Sequence, residues 1–317
     1  MFGTTKKNSY VILIIIFFVL LNYVVVITKN IFFEKEKYNP INYDILESNS
    51  ESINEKKVSE FISSAEEMFK IFEEQNFSRD SFLNNTYESL IVFSSLPDDF
   101  MTVEPVSARK ELFVKTILPI IFFENEKVLE ERNKILEWWT ATEGELIKRD
   151  YWPDWLENIS TKYSYEGENI GDLLMSVDII PISLAVSQAA IESGWGTSRY
   201  AREGNAVFGQ YTYKKDLGIL PKERPEEENF LIRKFQTISD STASYIKNLN
   251  THNAYKGFRE NRKKIRMNGE KISGMSLVKY LVNYSERKED YIKDIEQMIQ
   301  DNDFQDFDNI YTLNLIN

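Results

Sequence analysis

Ser183-Leu-Ala-Val-Ser-Gln-Ala-Ala-Ile-Glu-Ser-Gly-Trp-Gly-Thr197 is the stretch whose reading decides the fold. It reads as a helix opened by Pro181, whose missing N–H costs nothing in a first turn. Asp178, just upstream, is expected to act as a cap or first-turn acid. Ala185, Gln188, Ala189 and Glu192 fall at i, i+3, i+4 and i+7 and share one small, polar stripe. Gly194-Trp195-Gly196 then ends the helix, because two glycines around a Trp cannot continue it cheaply. Glu192 is thereby placed in the last turn. The negative end of the helix dipole and the apolar neighbours both disfavour its ionised form. A carboxyl kept protonated beside a glycine-lined surface is what a general acid needs to protonate a leaving alcohol. The competing reading is a helical Glu that merely faces water.

Composition narrows the chemistry. The 317 residues suffice for one large domain plus an extension, or for two small domains. A net charge of −12 argues against a nucleic-acid partner, and any anionic polymer must be held by specific contacts. The absence of cysteine excludes disulfide scaffolds, iron–sulfur sites, thiol nucleophiles and Cys-zinc sites. The single histidine, His252, excludes a zinc site built from two or three His, and it is expected to cap the end of its helix. Carboxylates and aromatics are left to do the work, which favours glycoside chemistry with no metal and no cofactor.

The N-terminus carries an address. Residues 1–9 are polar, with Lys6 and Lys7, and are expected in the cytoplasm. Residues 10–28 are almost wholly apolar and just long enough to span a bilayer. No small-x-small cleavage site follows, so a signal anchor is expected rather than a cleaved signal peptide. The remainder then lies on the extracytoplasmic side, where lacking cysteine is harmless. Residues 29–95 read as a juxtamembrane linker followed by an amphipathic helix over 52–76. Ser52 and Glu55 are its capping box, and Val58, Phe61, Ile62, Ala65, Phe69 and Phe72 its apolar stripe, packed on its own domain.

Beyond the Leu96-Pro97-Asp98-Asp99 boundary, residues 107–139 predict a core helix that Pro119 must kink or break. Its Glu124 and Glu126 are candidate second carboxylates, against the reading of a solvated face. Residues 151–155 and 164–169 read as irregular, and 172–177 as a short helix. Residues 208–213 and 230–235 predict two strands that pair as a β-hairpin around a long acidic loop holding Glu223, Glu226, Glu227 and Glu228. A helix over 239–250 is expected to start at Ser239 or Asp240 and to place Ser241, Tyr245 and Leu249 on one face. A basic helix over 256–267 and helices over 276–283 and 288–299 follow. Glu286 and Arg287 are expected to pair, and the acidic tail from Asp301 is expected to be loose. There is no internal repeat and no Walker or Rossmann glycine pattern.

Three motifs then carry a resemblance: Ala185-Val-Ser-Gln-Ala-Ala-Ile-Glu-Ser-Gly-Trp-Gly-Thr-Ser198, Gly204-Asn-Ala-Val-Phe-Gly209 and Lys234-Phe-Gln-Thr-Ile-Ser-Asp-Ser-Thr-Ala-Ser-Tyr245. In this order they resemble the glucosaminidase family, glycoside hydrolase family 73. Leu118-Pro-Ile-Ile-Phe-Phe-Glu-Asn-Glu126, Asn248-Leu-Asn-Thr-His-Asn-Ala-Tyr255 and Tyr284-Ser-Glu-Arg287 point within it to the bacterial Bax-type branch. The resemblance spans residues 96–301 and leaves 302–317 as an acidic tail. It implies an α+β, mainly α fold: a lysozyme-like helical domain with a small β-hairpin lobe, here preceded by one transmembrane helix. It implies hydrolysis of the β-1,4 bond after N-acetylglucosamine in the peptidoglycan glycan strand; with the N-terminal apolar run, the expectation is a monomeric, membrane-anchored hydrolase.

By the motif match, Glu192 stands for the family's catalytic glutamate and Tyr245 for the tyrosine on the helix facing the cleft. Trp195, Asn205 and Phe208 stand for the cleft wall. The second carboxylate falls in the gapped acidic loop, at Glu223 or Glu227, with Glu223 slightly preferred. Gln188 and Tyr211 complete the expected substrate-binding set. Ala206-Val207 stands where the family often has Asn-Leu, a departure that touches only local packing. Two rivals stay open: a lytic transglycosylase, and a non-catalytic, membrane-anchored glycan-binding module.

Overall fold

The computed structural model describes residues 57–59, 62–142, 148–221 and 229–313. The expected anchor over 10–28, the Ser52–Glu55 box, Glu223, Glu226, Glu227 and Glu228 lie outside these residues. No helix among the described residues is long and apolar enough to cross a membrane. The fold is mainly helical, with two small sheets.

The expected helix over 52–76 is only partly a helix. Strand β1 (Lys57–Ser59) precedes α1 (Ala65–Glu74). The Ser64 side chain accepts from the Glu67 N–H and sets the helix start there. Helix α2 (Arg79–Leu83) opens on a capping box at Ser78, and β2 (Ile91–Phe93) pairs parallel with β1, Val58 opposite Val92. This two-stranded sheet has no counterpart in the sequence reading.

Helix α3 (Val106–Ala141) runs through Pro119 as one element of 36 residues. Of the expected kink or break, the break does not occur. An internal Pro costs about 3 kcal/mol. Residues 116–125 are all buried, and burying each large apolar side chain returns roughly 1.5–3 kcal/mol. Tertiary packing therefore outweighs the local penalty. Helix α4 (Asp154–Lys162) starts inside the segment expected to be irregular, with Pro153 in front and Asp154 in its first turn. Helix α5 (Ile170–Ser176) begins at Asn169, whose side chain accepts from Asp172 N–H.

Helix α6 (Ile182–Ser193) is the centre of the molecule. Residues 182–190 are buried all round. Small side chains let its neighbours approach closely, and its serines do not remain as orphan donors. Ser187 donates to the Ser183 carbonyl and Ser193 to the Ala189 carbonyl. Asp178 does not cap it. That carboxylate is buried among Arg132, Arg262 and Arg266 and ties α3 to the later basic helix. The N-terminal turn of α6 is held instead by Asp308, which accepts from Ser183 N–H at 3.0 Å and from the Ser183 hydroxyl at 2.6 Å.

Helix α7 (Arg199–Gly204) ends on Asn205 in the left-handed region. Strands β3 (Tyr211–Thr212), β4 (Gly218–Ile219) and β5 (Leu231–Arg233) form a sheet in the order β3-β5-β4, all antiparallel. The expected hairpin pairing of the flanking strands is present, but the strands are shorter and a third one, β4, joins them. Helix α8 (Ile238–Thr251) is started by Thr237 in a capping box with Asp240, two positions ahead of Ser239, the earlier of the two expected starts. Helix α9 (Lys256–Met267) matches its predicted bounds. Helix α10 (Gly274–Leu277) runs on into a 3-10 turn over Val278–Leu281, and α11 (Glu289–Asp301) follows. The tail is not loose in its described part. Phe304 and Phe307 are fully buried in a turn over Phe304–Asn309, before α12 (Ile310–Leu313). Helix α6 packs against α3, α10, α11 and that turn.

Candidate active site

The end of α6 presents Glu192. Gly194 and Trp195 both adopt left-handed φ, 56° and 57°, and turn the chain sharply out of the helix. Gly196 follows at φ 77°, where a Cβ would lie 2.8 Å from Leu96 and 3.0 Å from Phe100 and Phe113. Only glycine fits there.

The two oxygens of the Glu192 carboxyl have different partners. Oε1 accepts from the Tyr291 hydroxyl at 2.7 Å. Oε2 faces Gly209, whose φ is +62° and whose Cβ, if present, would lie 2.8 Å from that oxygen. Behind Tyr291 runs a directed chain. The Gln188 amide nitrogen donates to the Tyr291 oxygen at 3.0 Å, and the Gln188 amide oxygen accepts from the Tyr245 hydroxyl at 2.7 Å. The directions follow from the carboxyl oxygen: Oε1 only accepts, so Tyr291 must donate to it and accept from Gln188.

Aromatic rings close the inner side. Tyr284 stacks on Tyr291, and its hydroxyl donates to the Phe208 carbonyl at 3.0 Å. Phe208 lies flat on Tyr245, with centroids 4.0 Å apart. Tyr255 leans on Tyr284. Burial in this apolar setting pushes the Glu192 carboxyl above the ordinary carboxylate range, while the Tyr291 hydrogen bond and the Arg287 charge pull the other way. Burial first, and then the Glu192 charge, hold the Tyr291 phenol far above its usual range, so it remains a donor.

The sequence-predicted residues divide. Glu192 stands at the surface end of the chain of hydrogen bonds. Gln188 and Tyr245, expected at the substrate, are fully buried and reach Glu192 only through Tyr291. Phe208, also buried, is a packing surface for Tyr245 rather than a sugar platform. Asn205 donates to the carbonyls of Phe235 and Gln236 and so holds the approach to α8. Gln188 lies on the α6 face that Tyr245 of α8 and Tyr291 of α11 cover, and Tyr245 and Phe208 are buried against each other. Tyr211 remains open at 63% exposure, against Phe230 at the β-sheet. Trp195 packs on Phe113 and lines an open groove of about 470 Å³ beside α11.

Glu223 and Glu227 lie outside the described residues. Glu124 and Glu126 do not belong to this site. Glu124 pairs with Lys127 at 2.6 Å, and Glu126 acts on Tyr87 and Tyr311. Arg287 pairs with Asp294 at 2.6 Å, not with Glu286. His252 ends α8, and its Nδ1 accepts from Ala254 N–H. Among the described residues no group of three or more His, Asp or Glu is placed to hold a metal ion.

Tyr291, Gly209 and Gln210 escaped the sequence reading as site residues. Gln210 follows Gly209 and keeps its side-chain oxygen buried with no donor among the described residues. Tyr284 and Arg287 had a motif to mark them, but nothing to place them beside Glu192.

A family model named Glucosaminidase, described as mannosyl-glycoprotein endo-beta-N-acetylglucosaminidase, matches residues 168–304. Protein bax of Escherichia coli (strain K12) is 32% identical over 216 residues, covering 66% of this chain and 75% of that one. No solved structure matches the chain.

Proposed function

The chain belongs to the glucosaminidase family, and from that premise we propose that it is a peptidoglycan hydrolase cleaving the β-1,4 bond after N-acetylglucosamine, with Glu192 as general acid. The family domain implies a glycoside hydrolase; the bond, the sugar and the residue roles are our reading. One observation carries it. The Glu192 carboxyl is half-buried, fixed at Oε1 by Tyr291 and turned at Oε2 toward the Gly209 backbone.

The proton belongs on Oε2, because Oε1 already accepts. With a glycan strand laid over Gly209, Oε2 donates that proton to the glycosidic oxygen. The C1–O bond then breaks, and positive charge develops on the sugar ring. Such proton transfer contributes about 10²–10⁴-fold to rate. Tyr211 offers an exposed ring to a sugar face. Two routes complete the reaction, and the anomer released separates them. Water activated by Glu223 or Glu227 gives inversion, whereas attack by the substrate's acetamido group gives retention. The apolar residues 10–28 serve as a single-pass anchor and hold a monomeric, lysozyme-like domain against the wall on the extracytoplasmic side.

The test is to digest purified peptidoglycan with the full-length protein and identify the new chain ends by mass spectrometry. Reducing N-acetylglucosamine ends are expected. Anhydro-muramic ends would instead make the protein a lytic transglycosylase. Binding to peptidoglycan without new ends would make it a glycan-binding module.

A further inference from the structure

Arg287 leads outward from the site. Its charge bears on Glu192, and its guanidinium pairs with Asp294 at 2.6 Å. Asp294 lies three residues beyond Tyr291 on α11, and the same side of the helix continues through Gln297 to Asp301. These three side chains, with Lys110, Ile191 and Trp195, line the open groove of about 470 Å³. Ile191 precedes Glu192 in the chain, and Asp294 lies one helical turn beyond Tyr291, so both elements that carry the site also line the groove. From Asp294 to Asp301, the part of the helix that lines the groove, the axis rises about 10 Å at roughly 1.5 Å per residue. That length suits about three residues of extended peptide at about 3.3–3.6 Å each.

The groove carries both signs of charge. Lys110 lies over the Trp195 ring, 4.6 Å from its centroid, and no carboxylate among the described residues forms an ion pair with it. Asp301 accepts from Gln297 and likewise has no cation partner among the described residues. An ammonium on one wall and a carboxylate at the far end suit an occupant bearing a carboxylate and an amine. Gln297 adds an amide able to meet a peptide backbone. A strand of N-acetylated sugars carries no amine. The short peptides that branch from a peptidoglycan strand carry both groups.

We propose that this groove holds the branching peptide, so that the protein distinguishes peptide-bearing strands from bare ones. The inference rests on the peptidoglycan reading above. It is tested with the full-length protein on intact strands and on the same strands stripped of peptide by an amidase. The wild type is expected to show a kcat/KM about tenfold higher on peptide-bearing strands, a difference of ordinary size for one added contact. In Lys110→Ala and in Gln297→Trp, which fills the groove, the ratio falls to about one. The ratio is internal to each protein, so a poorly folded variant lowers both rates and leaves the comparison intact. Equal wild-type rates on the two substrates overturn the inference and leave the hydrolase reading standing. A wild-type ratio retained in both variants shows that the peptide is read elsewhere. Cleavage of neither substrate removes the hydrolase reading and this inference with it.

Discussion

The hydroxyl of Tyr291 lies 2.7 Å from Oε1 of Glu192, although 99 residues of chain separate the two. This bond decides which carboxyl oxygen carries the proton. It also stabilises the ionised form, so its loss moves the Glu192 carboxyl further up, not down. For Tyr291→Phe the alkaline limb of the kcat/KM profile, where the acid loses its proton, is expected at higher pH than in wild type. The rate falls roughly 10–100-fold, the size of a lost hydrogen bond to a charged group. An unmoved alkaline limb would detach Tyr291 from the titrating group.

Gly209 sets the distance between the backbone and the acid. An alanine Cβ would lie 2.8 Å from Oε2 at a residue whose φ is +62°. Left-handed backbone costs a residue with a Cβ about 1–2 kcal/mol, and the carboxyl must also move. Gly209→Ala is expected to remain folded, with a melting temperature a few degrees lower, and to lose about 100-fold or more in kcat, since small misplacements are costly at this step. Parallel calorimetry and kinetics check this, and full activity would remove Gly209 from the site.

How much of this was legible in the sequence depends on distance along the chain. The end of α6 was legible because its cues are local: Gly194 and Gly196 mark the stop, and the spacing places Glu192 in the last turn. The bounds of α9 and the pairing of β3 with β5 also follow from nearby residues. Tyr291 was not legible, because nothing within α11 distinguishes it from Ile292 or Ile295 as a core residue. Tyr245 shows the converse error. Its spacing placed it on the correct face, but that face is covered, so its hydroxyl ends on Gln188. Asp178 was misread by a local rule that three arginines override, and at Pro119 buried packing prevents the break that the local rule allowed.

Asp178 predicts an acid limit to stability. Burial alone would raise this carboxyl, but Arg132, Arg266 and Arg262 reverse the effect and hold it far below the usual range. A depressed carboxyl contributes stability above its unfolded value of about 3.9, lost as pH falls below it. Asp178→Asn leaves three cations facing no anion and is expected to cost roughly 3–5 kcal/mol near neutrality. Urea titrations at pH 7 and pH 3 should show the variant deficit shrinking at the lower pH. An equal deficit at both would contradict the assignment.

Glu126 predicts the opposite sign. Burial, and then Glu130, push its carboxyl up to about 7. A raised carboxyl contributes fully below its unfolded value and loses that contribution as pH rises through about 7. Glu126→Gln is therefore expected to match wild type at pH 4 and to exceed it at pH 8, by roughly 1–3 kcal/mol after allowance for partial solvation. Thermal melts at the two pH values check this; a variant less stable at pH 8 would refute it.

The central claim is that Glu192 delivers a proton to the leaving oxygen. The most direct measurement compares wild type with Glu192→Gln on peptidoglycan and on an aryl glycoside of the same glycan, whose phenolate leaves without being protonated. The account predicts a loss of about 10²–10⁴-fold on peptidoglycan and a much smaller loss on the aryl substrate. An equal loss on both substrates, or none on peptidoglycan, would contradict it.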